Sequence, residues 1–151
     1  FEPGNNFRMS ALHAAVLTAQ LERLDTQIEL RTRNQKIFAR EMEGVESIRW
    51  QEIPAAVNRN SWYLVLGRVA DGKRDAFCAK VQEAGIPCTP FYPHPLYGNP
   101  MYVSGKYVNR VEPCPNAEAC VGDAFWIGFR ALMGDEETTL AVALAVAAAA
   151  S

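Results

Sequence analysis

No glycine occurs between Gly4 and Gly44 and no proline between Pro3 and Pro54, so about forty consecutive residues run without a helix breaker. That stretch predicts one long helix, with Asn6 or Ser10 to cap its start and Gly44 to stop it. Within it Leu17, Leu21, Leu24, Ile28, Arg31, Gln35, Phe38 and Met42 alternate at steps of four and three, the spacing of one helical face. Glu29 precedes Arg33 by one turn, the favourable order for a surface ion pair worth only a few tenths of a kcal/mol. Such a rod is about 50 Å long at 1.5 Å per residue. A compact domain of this chain length has a radius of gyration near ~15 Å, so the rod must project. Its first half, Met9 to Leu24, is apolar on more than one side, through Leu12, Val16, Leu17 and Leu21. Either it packs against something outside this chain, or it kinks and folds back on its own domain.

Composition narrows the class. With 151 residues, 49% of them apolar, the chain can form one domain that buries roughly two-thirds of its unfolded surface. A net charge of -2 offers no excess of cations for phosphate backbones, which argues against nucleic acid as a partner. The apolar tail from Leu140 to Ala150 is shorter than the ~20 residues a membrane crossing needs, and a soluble, cytoplasmic protein is the expectation. Cys78, Cys88, Cys114 and Cys120 include no CxxC pair and the chain has only 2 histidines, so no metal site is expected and the thiols should be reduced.

After Gly44 the periodicity changes. Ser47 to Trp50 is one short strand candidate, and the alternation of Trp62, Leu64 and Leu66 with Tyr63, Val65 and Gly67 is another. Asp71 and Gly72 mark a turn and a possible cap, Phe77, Val81 and Ala84 a helix ending at Gly85, and Ile86 to Thr89 a further strand. The stretch from Pro90 to Pro115 is rich in proline and tyrosine, which predicts a binding loop with little regular structure. A helix over Asn116 to Val121, a strand over Phe125 to Phe129 and a final helix capped by Asp135 complete the chain. The fold class is α+β: residues 1–44 a connecting or interface helix, residues 45–151 a small domain with a small mixed sheet and flanking helices.

The run Gly4-Asn5-Asn6-Phe7-Arg8-Met9-Ser10, then Ala14-Ala15, then Gln20-Leu21-Glu22-Arg23-Leu24-Asp25, resembles the signature of the DegT/StrS aminotransferases. Gly85-Ile86, Tyr92-Pro93-His94-Pro95-Leu96, Cys114-Pro115-Asn116-Ala117-Glu118 and Leu132-Met133-Gly134 follow in the family's order, so the resemblance spans nearly the whole chain. It implies the C-terminal small domain of a fold-type-I, pyridoxal-phosphate-dependent enzyme, with the large domain outside this chain. The Schiff-base lysine, the aspartate that holds the pyridinium nitrogen and the aromatic residue that stacks on the ring would lie there, and Lys36, Lys73, Lys80 and Lys106 match no family motif. The cofactor works as an electron sink only with those groups, so the chain alone is expected to be inactive.

The resemblance also assigns roles. It places Asn6 on the cofactor phosphate across a homodimer, a position that a helix start favours, although Asn6 could equally be a plain cap. Arg8 would contact the active site or the neighbouring subunit. Tyr92, His94 and Tyr97 fall in the loop that closes over substrate, with packing of the loop by its own aromatics the alternative; Tyr97 stands where many relatives have histidine. His13 reads as a packing residue, and Trp126 and Phe129 as core or interface aromatics. The run from Cys114 to Gly134 looks closer to the branch acting on cyclitols or aminohydroxybenzoate precursors than to the nucleotide-sugar branch, although that branch often has a histidine near Phe129 that this chain lacks. The implied reaction passes an amino group from an amino acid to a keto-sugar, a cyclitol or a related ketone. Two alternatives stand: a stand-alone, non-catalytic binding or dimerisation module, and a sugar dehydratase of the same family.

Overall fold

The structure, a computed structural model, describes residues 9–105 and 110–151. The long helical stretch forms as two helices in close succession, α1 (Ala11–Leu21) and α2 (Leu24–Glu41). Across the break the Arg23 N–H reaches back only to Gln20 O, and the next Gln27 N–H already bonds Arg23 O, so the interruption is a single tightened turn. Ser10 caps α1 through the His13 N–H at 3.2 Å. Gly44, at φ +83°, ends the run after α2.

Among the described residues four strands follow the helical stretch, interleaved with further helices: β1 (Ile48–Trp50), β2 (Leu64–Val69), α3 (Arg74–Glu83), β3 (Cys88–Pro90), a short α4 (Pro100–Val103), α5 (Pro115–Asp123), β4 (Ala124–Gly128) and α6 (Glu136–Ala149). The α+β architecture holds, but the sheet is not mixed. Its order is β1-β2-β4-β3, and every neighbouring pair is antiparallel. β2, α3 and β3 form a crossover whose two strands run parallel to each other, and β4 inserts between them and runs opposite to both.

Local chemistry shifts some boundaries. Trp62 takes φ 49° and its N–H is held by Asn60 Oδ1 at 2.9 Å, a conformation that cannot continue a strand. The alternating segment therefore starts at Leu64, and its core-facing positions are Val65, Gly67 and Val69. Asp71 and Gly72 make the turn, both at positive φ, but neither caps α3, which begins without a side-chain cap. Ala84 is exposed and Phe77, Cys78 and Val81 form the buried face of α3. The proline-rich stretch contains more regular structure than its composition implies: Leu96–Gly98 is a 3-10 turn, and Asn99 caps α4 with Pro100 in its first turn. Asp135 caps α6, as its position before the helix indicated, accepting from the Thr138 N–H at 2.9 Å.

The core lies between one sheet face and helices α2, α3 and α6. Phe38 from α2 and Met42 at its C-terminal cap meet Val65, Val69, Phe125 and Ile127 from the sheet and Ala143 and Val146 from α6. Gly67 allows a close approach at the centre. Trp50 and Phe125, its register partners on either side, make an edge contact at 5.7 Å, and a Cβ on Gly67 would sit 2.7 Å from Phe125 Cζ. Asn34, fully buried on α2, donates to Leu132 O at 2.9 Å and Gly134 O at 2.8 Å, and so fastens the turn before α6 to the long helix.

Candidate functional site

The opposite face of the sheet meets α5, through Arg68 and Asp123, and the start of the proline-rich loop, through Trp126. β3 runs directly into Phe91, whose N–H bonds Ala124 O at 2.8 Å, so the loop leaves the sheet from a fixed root. Trp126 projects from β4 and meets Phe91 at 5.8 Å and Tyr92 at 5.9 Å, both edge-on, while Phe91 and Tyr92 touch at 5.2 Å. This triad orients Tyr92, which remains 64% exposed with its hydroxyl unpartnered among the described residues. His94 follows two residues later, half-buried and wedged near Gly98, where an added Cβ would lie 3.2 Å from His94 Cβ.

Tyr92 and His94 thus share a wall of one cavity of about 380 Å³, closed on the other side by Asn116, Ala117 and Cys120 of α5. Tyr97 does not join them. Its hydroxyl bonds the Glu118 carboxylate, an interaction that raises the phenol above its ordinary range, and the ring borders a separate hollow with Arg110 and Glu112. Asn6 and Arg8 lie outside the described residues. His13 is exposed on α1, a helix that buries none of its residues, so among the described residues it is not the packing residue its sequence position suggested.

Sequence reasoning missed the neighbouring cavity of about 520 Å³, which shares Phe91, Asn116 and Cys120 with the first. Arg49 and Arg68 line it, directly opposed in the β1–β2 register, an arrangement of like charges that needs compensation. Arg68 receives it from Asp123 at the end of α5, through a forked contact at 2.6 and 3.1 Å that also raises the guanidinium's affinity for its proton. Arg74 of α3 donates to Val121 O and ties α5 to the domain from the other side. No local motif marks Arg49 or Arg68, because only the strand register places them together.

Lys36 borders an open basin with Asp25, Glu29 and Arg59 that contains no aromatic ring, and Lys73 and Lys80 are exposed on α3 and its start. No group of three or more potential metal ligands occurs among the described residues, and no helix among them is long and apolar enough to cross a membrane.

Residues 2–145 match the model of the DegT/DnrJ/EryC1/StrS aminotransferase family, and the chain belongs to that family. It is 28% identical over 151 residues to 3-amino-5-hydroxybenzoate synthase of Amycolatopsis mediterranei (strain S699), covering 95% of this chain and 39% of the relative. It is likewise 28% identical over 166 residues to L-glutamine:2-deoxy-scyllo-inosose aminotransferase of Streptoalloteichus tenebrarius, covering 95% of this chain and 38% of that protein. The crystal structure of 3-amino-5-hydroxybenzoic acid synthase superposes with a TM-score of 0.85 at 27% identity, over 99% of this chain and 41% of that one. The chain therefore spans about two-fifths of the length of the curated relatives it matches. Its architecture is that of a small α+β domain from a fold-type-I pyridoxal-phosphate enzyme.

Proposed function

We propose that this chain is the C-terminal part of a pyridoxal-phosphate-dependent aminotransferase that delivers an amino group to a ketone on a cyclitol, a sugar or a related ring. In this reading residues 1–44 carry the interface helix and residues 45–151 the small domain, and the Schiff-base lysine belongs to a large domain outside the 151 residues. The observation that carries it is α1. Every residue of that helix is exposed, Leu12 to 74%, Val16 to 53% and Leu21 to 65%, and an apolar face of this kind in a chain of this family supports the large domain as its partner.

By family resemblance, Asn6 would reach the cofactor phosphate across a homodimer, and Arg8 would contact the active site or the neighbouring subunit. Tyr92 and His94 would contact the acceptor through the cavity against α5. Tyr97, engaged with Glu118, would position the loop, a lesser role than the substrate contact the sequence implied. The names of the relatives favour a cyclitol or carbocyclic acceptor, with L-glutamine as the first donor to try.

The test has two arms. The purified 151-residue chain mixed with pyridoxal phosphate should show no absorbance band that survives dialysis and shifts on addition of L-glutamine; such a band would sink the division of labour. The polypeptide encoded together with its upstream reading frame should retain the cofactor and form a new amine from a keto-cyclitol. Loss of water from the acceptor without amine formation would replace transfer by dehydration.

A further inference from the structure

Two thiols meet in the core between α3 and β3. Cys78 is 2% exposed and Cys88 1%, and the Cys88 S–H donates to Cys78 Sγ at 3.4 Å. The two elements are clamped beside them. Gln82, one turn beyond Cys78, donates its amide to Cys88 O at 2.5 Å, and the Ile86 N–H returns to Val81 O. The sulfur atoms are therefore held as neighbours by contacts that do not involve sulfur. Cys114 and Cys120 lie apart from this pair, on the loop side of the sheet.

We propose that Cys78 and Cys88 are a reversible redox couple that closes to an intrachain disulfide, with a small peroxide as the oxidant. The balance is complete with hydrogen peroxide. Cys78 sulfur attacks a peroxide oxygen, the O–O bond breaks, and Cys78 becomes a sulfenic acid with release of one water. Cys88 sulfur then attacks Cys78 sulfur, the S–O bond breaks, and the departing hydroxide takes the Cys88 proton as a second water. Two thiols lose two electrons and two protons, and peroxide is reduced to water.

The order of events follows from the contact. The hydrogen bond from Cys88 holds the Cys78 thiol below its ordinary range against the opposing effect of burial, with Arg74 one turn away acting in the same direction as the bond. The same bond, and burial, push the Cys88 thiol up. Cys78 is thus the attacking group and Cys88 the resolving one. Since β3 runs into Phe91 and Tyr92, the bond would tether the root of the candidate substrate loop to α3.

Peptide mapping tests this on the chain as it is. Trypsin cuts after Arg74, Lys80 and Lys106, so the disulfide joins two separate peptides, 75–80 and 81–106. After hydrogen peroxide treatment and alkylation in denaturant, the joined pair should appear two hydrogens lighter than the sum of its parts and vanish with dithiothreitol. It should form severalfold faster in the folded chain than in urea. Recovery of both cysteines as alkylated thiols or as higher oxides, while Cys114 and Cys120 oxidise, would overturn the proposal. In Cys88→Ala, dimedone should label Cys78, and in Cys78→Ala it should leave Cys88 unlabelled; the reverse pattern would overturn the assigned order. Should either variant fail to fold, the map of the unsubstituted chain still decides.

Discussion

Helices α1 and α2 come from one uninterrupted stretch of helix formers, yet the mostly apolar one is exposed and the mostly polar one is built into the core. α1 buries no residue; α2 buries Ile28, Arg31, Asn34 and Phe38. The difference shows that helical propensity and apolar content form a helix without deciding where it sits. What decides is whether a complementary surface exists, and among the described residues α2 has α6 and the sheet where α1 is left exposed. Arg31 makes the point from the polar side. It lies 5% exposed with its guanidinium 5.6 Å from the centre of the Phe129 ring and its Nε on Gln27 O, so its long stem packs as an apolar residue would.

If that contrast is correct, substitutions in the two helices should separate cleanly in chemical denaturation. The largest loss should come from Phe38→Ala, which removes a ring 2% exposed and in edge contact with Trp50 at 5.3 Å, at a cost of about 4 kcal/mol. Asn34→Ala should cost about 3 kcal/mol, because it strands the two carbonyls before α6. A loss under about 1 kcal/mol at either position would mean that α2 is less integrated than its contacts indicate.

The same measurement on Leu12→Glu combined with Val16→Glu should move stability by no more than about 0.5 kcal/mol. Sedimentation of that double variant should shift toward monomer, because the unsubstituted face is expected to self-associate at high concentration. A parent chain that is strictly monomeric at every concentration would remove the reason to treat α1 as an interface.

The smallest effect concerns Asp135. Hydrogen bonds from Thr138, the side chain first and the N–H second, hold its carboxylate below the ordinary range. The folded state therefore prefers the ionised form. This stabilisation is present in full above the unfolded carboxylate range near pH ~4 and fades as pH falls through the lower folded value. Asp135→Asn keeps a capping acceptor and should flatten that part of the acid limb in pH-dependent melting, while a curve unchanged below pH ~4 would break the account.

Much of the fold was legible because its signals are local. The Gly44 stop, the Asp135 cap and the buried Phe77 and Val81 of α3 follow from propensity and spacing over one or two turns, although Cys78 rather than Ala84 completes that buried face. The candidate site was legible only in part. Tyr92 and His94 share a cavity, as their place in one short motif implied, but Tyr97 belongs to another surface because Glu118, on a helix beyond the loop, captures its hydroxyl. Arg49 and Arg68 carry no sequence mark, since their meeting depends on a register between segments separated by a long connection.

The sequence by itself determined the helical stretch before Gly44, helices α3, α5 and α6, the turn at Asp71 and Gly72, the apolar segment at the amino end and the family to which the chain belongs. Tertiary structure alone decided that the sheet is antiparallel throughout, that Gly67 brings Trp50 and Phe125 into contact, and which thiols meet in the core. The physical reason is range: backbone preferences and caps act within a few residues, whereas register, close approach and the pairing of reactive groups are fixed only when distant segments exclude water from one another.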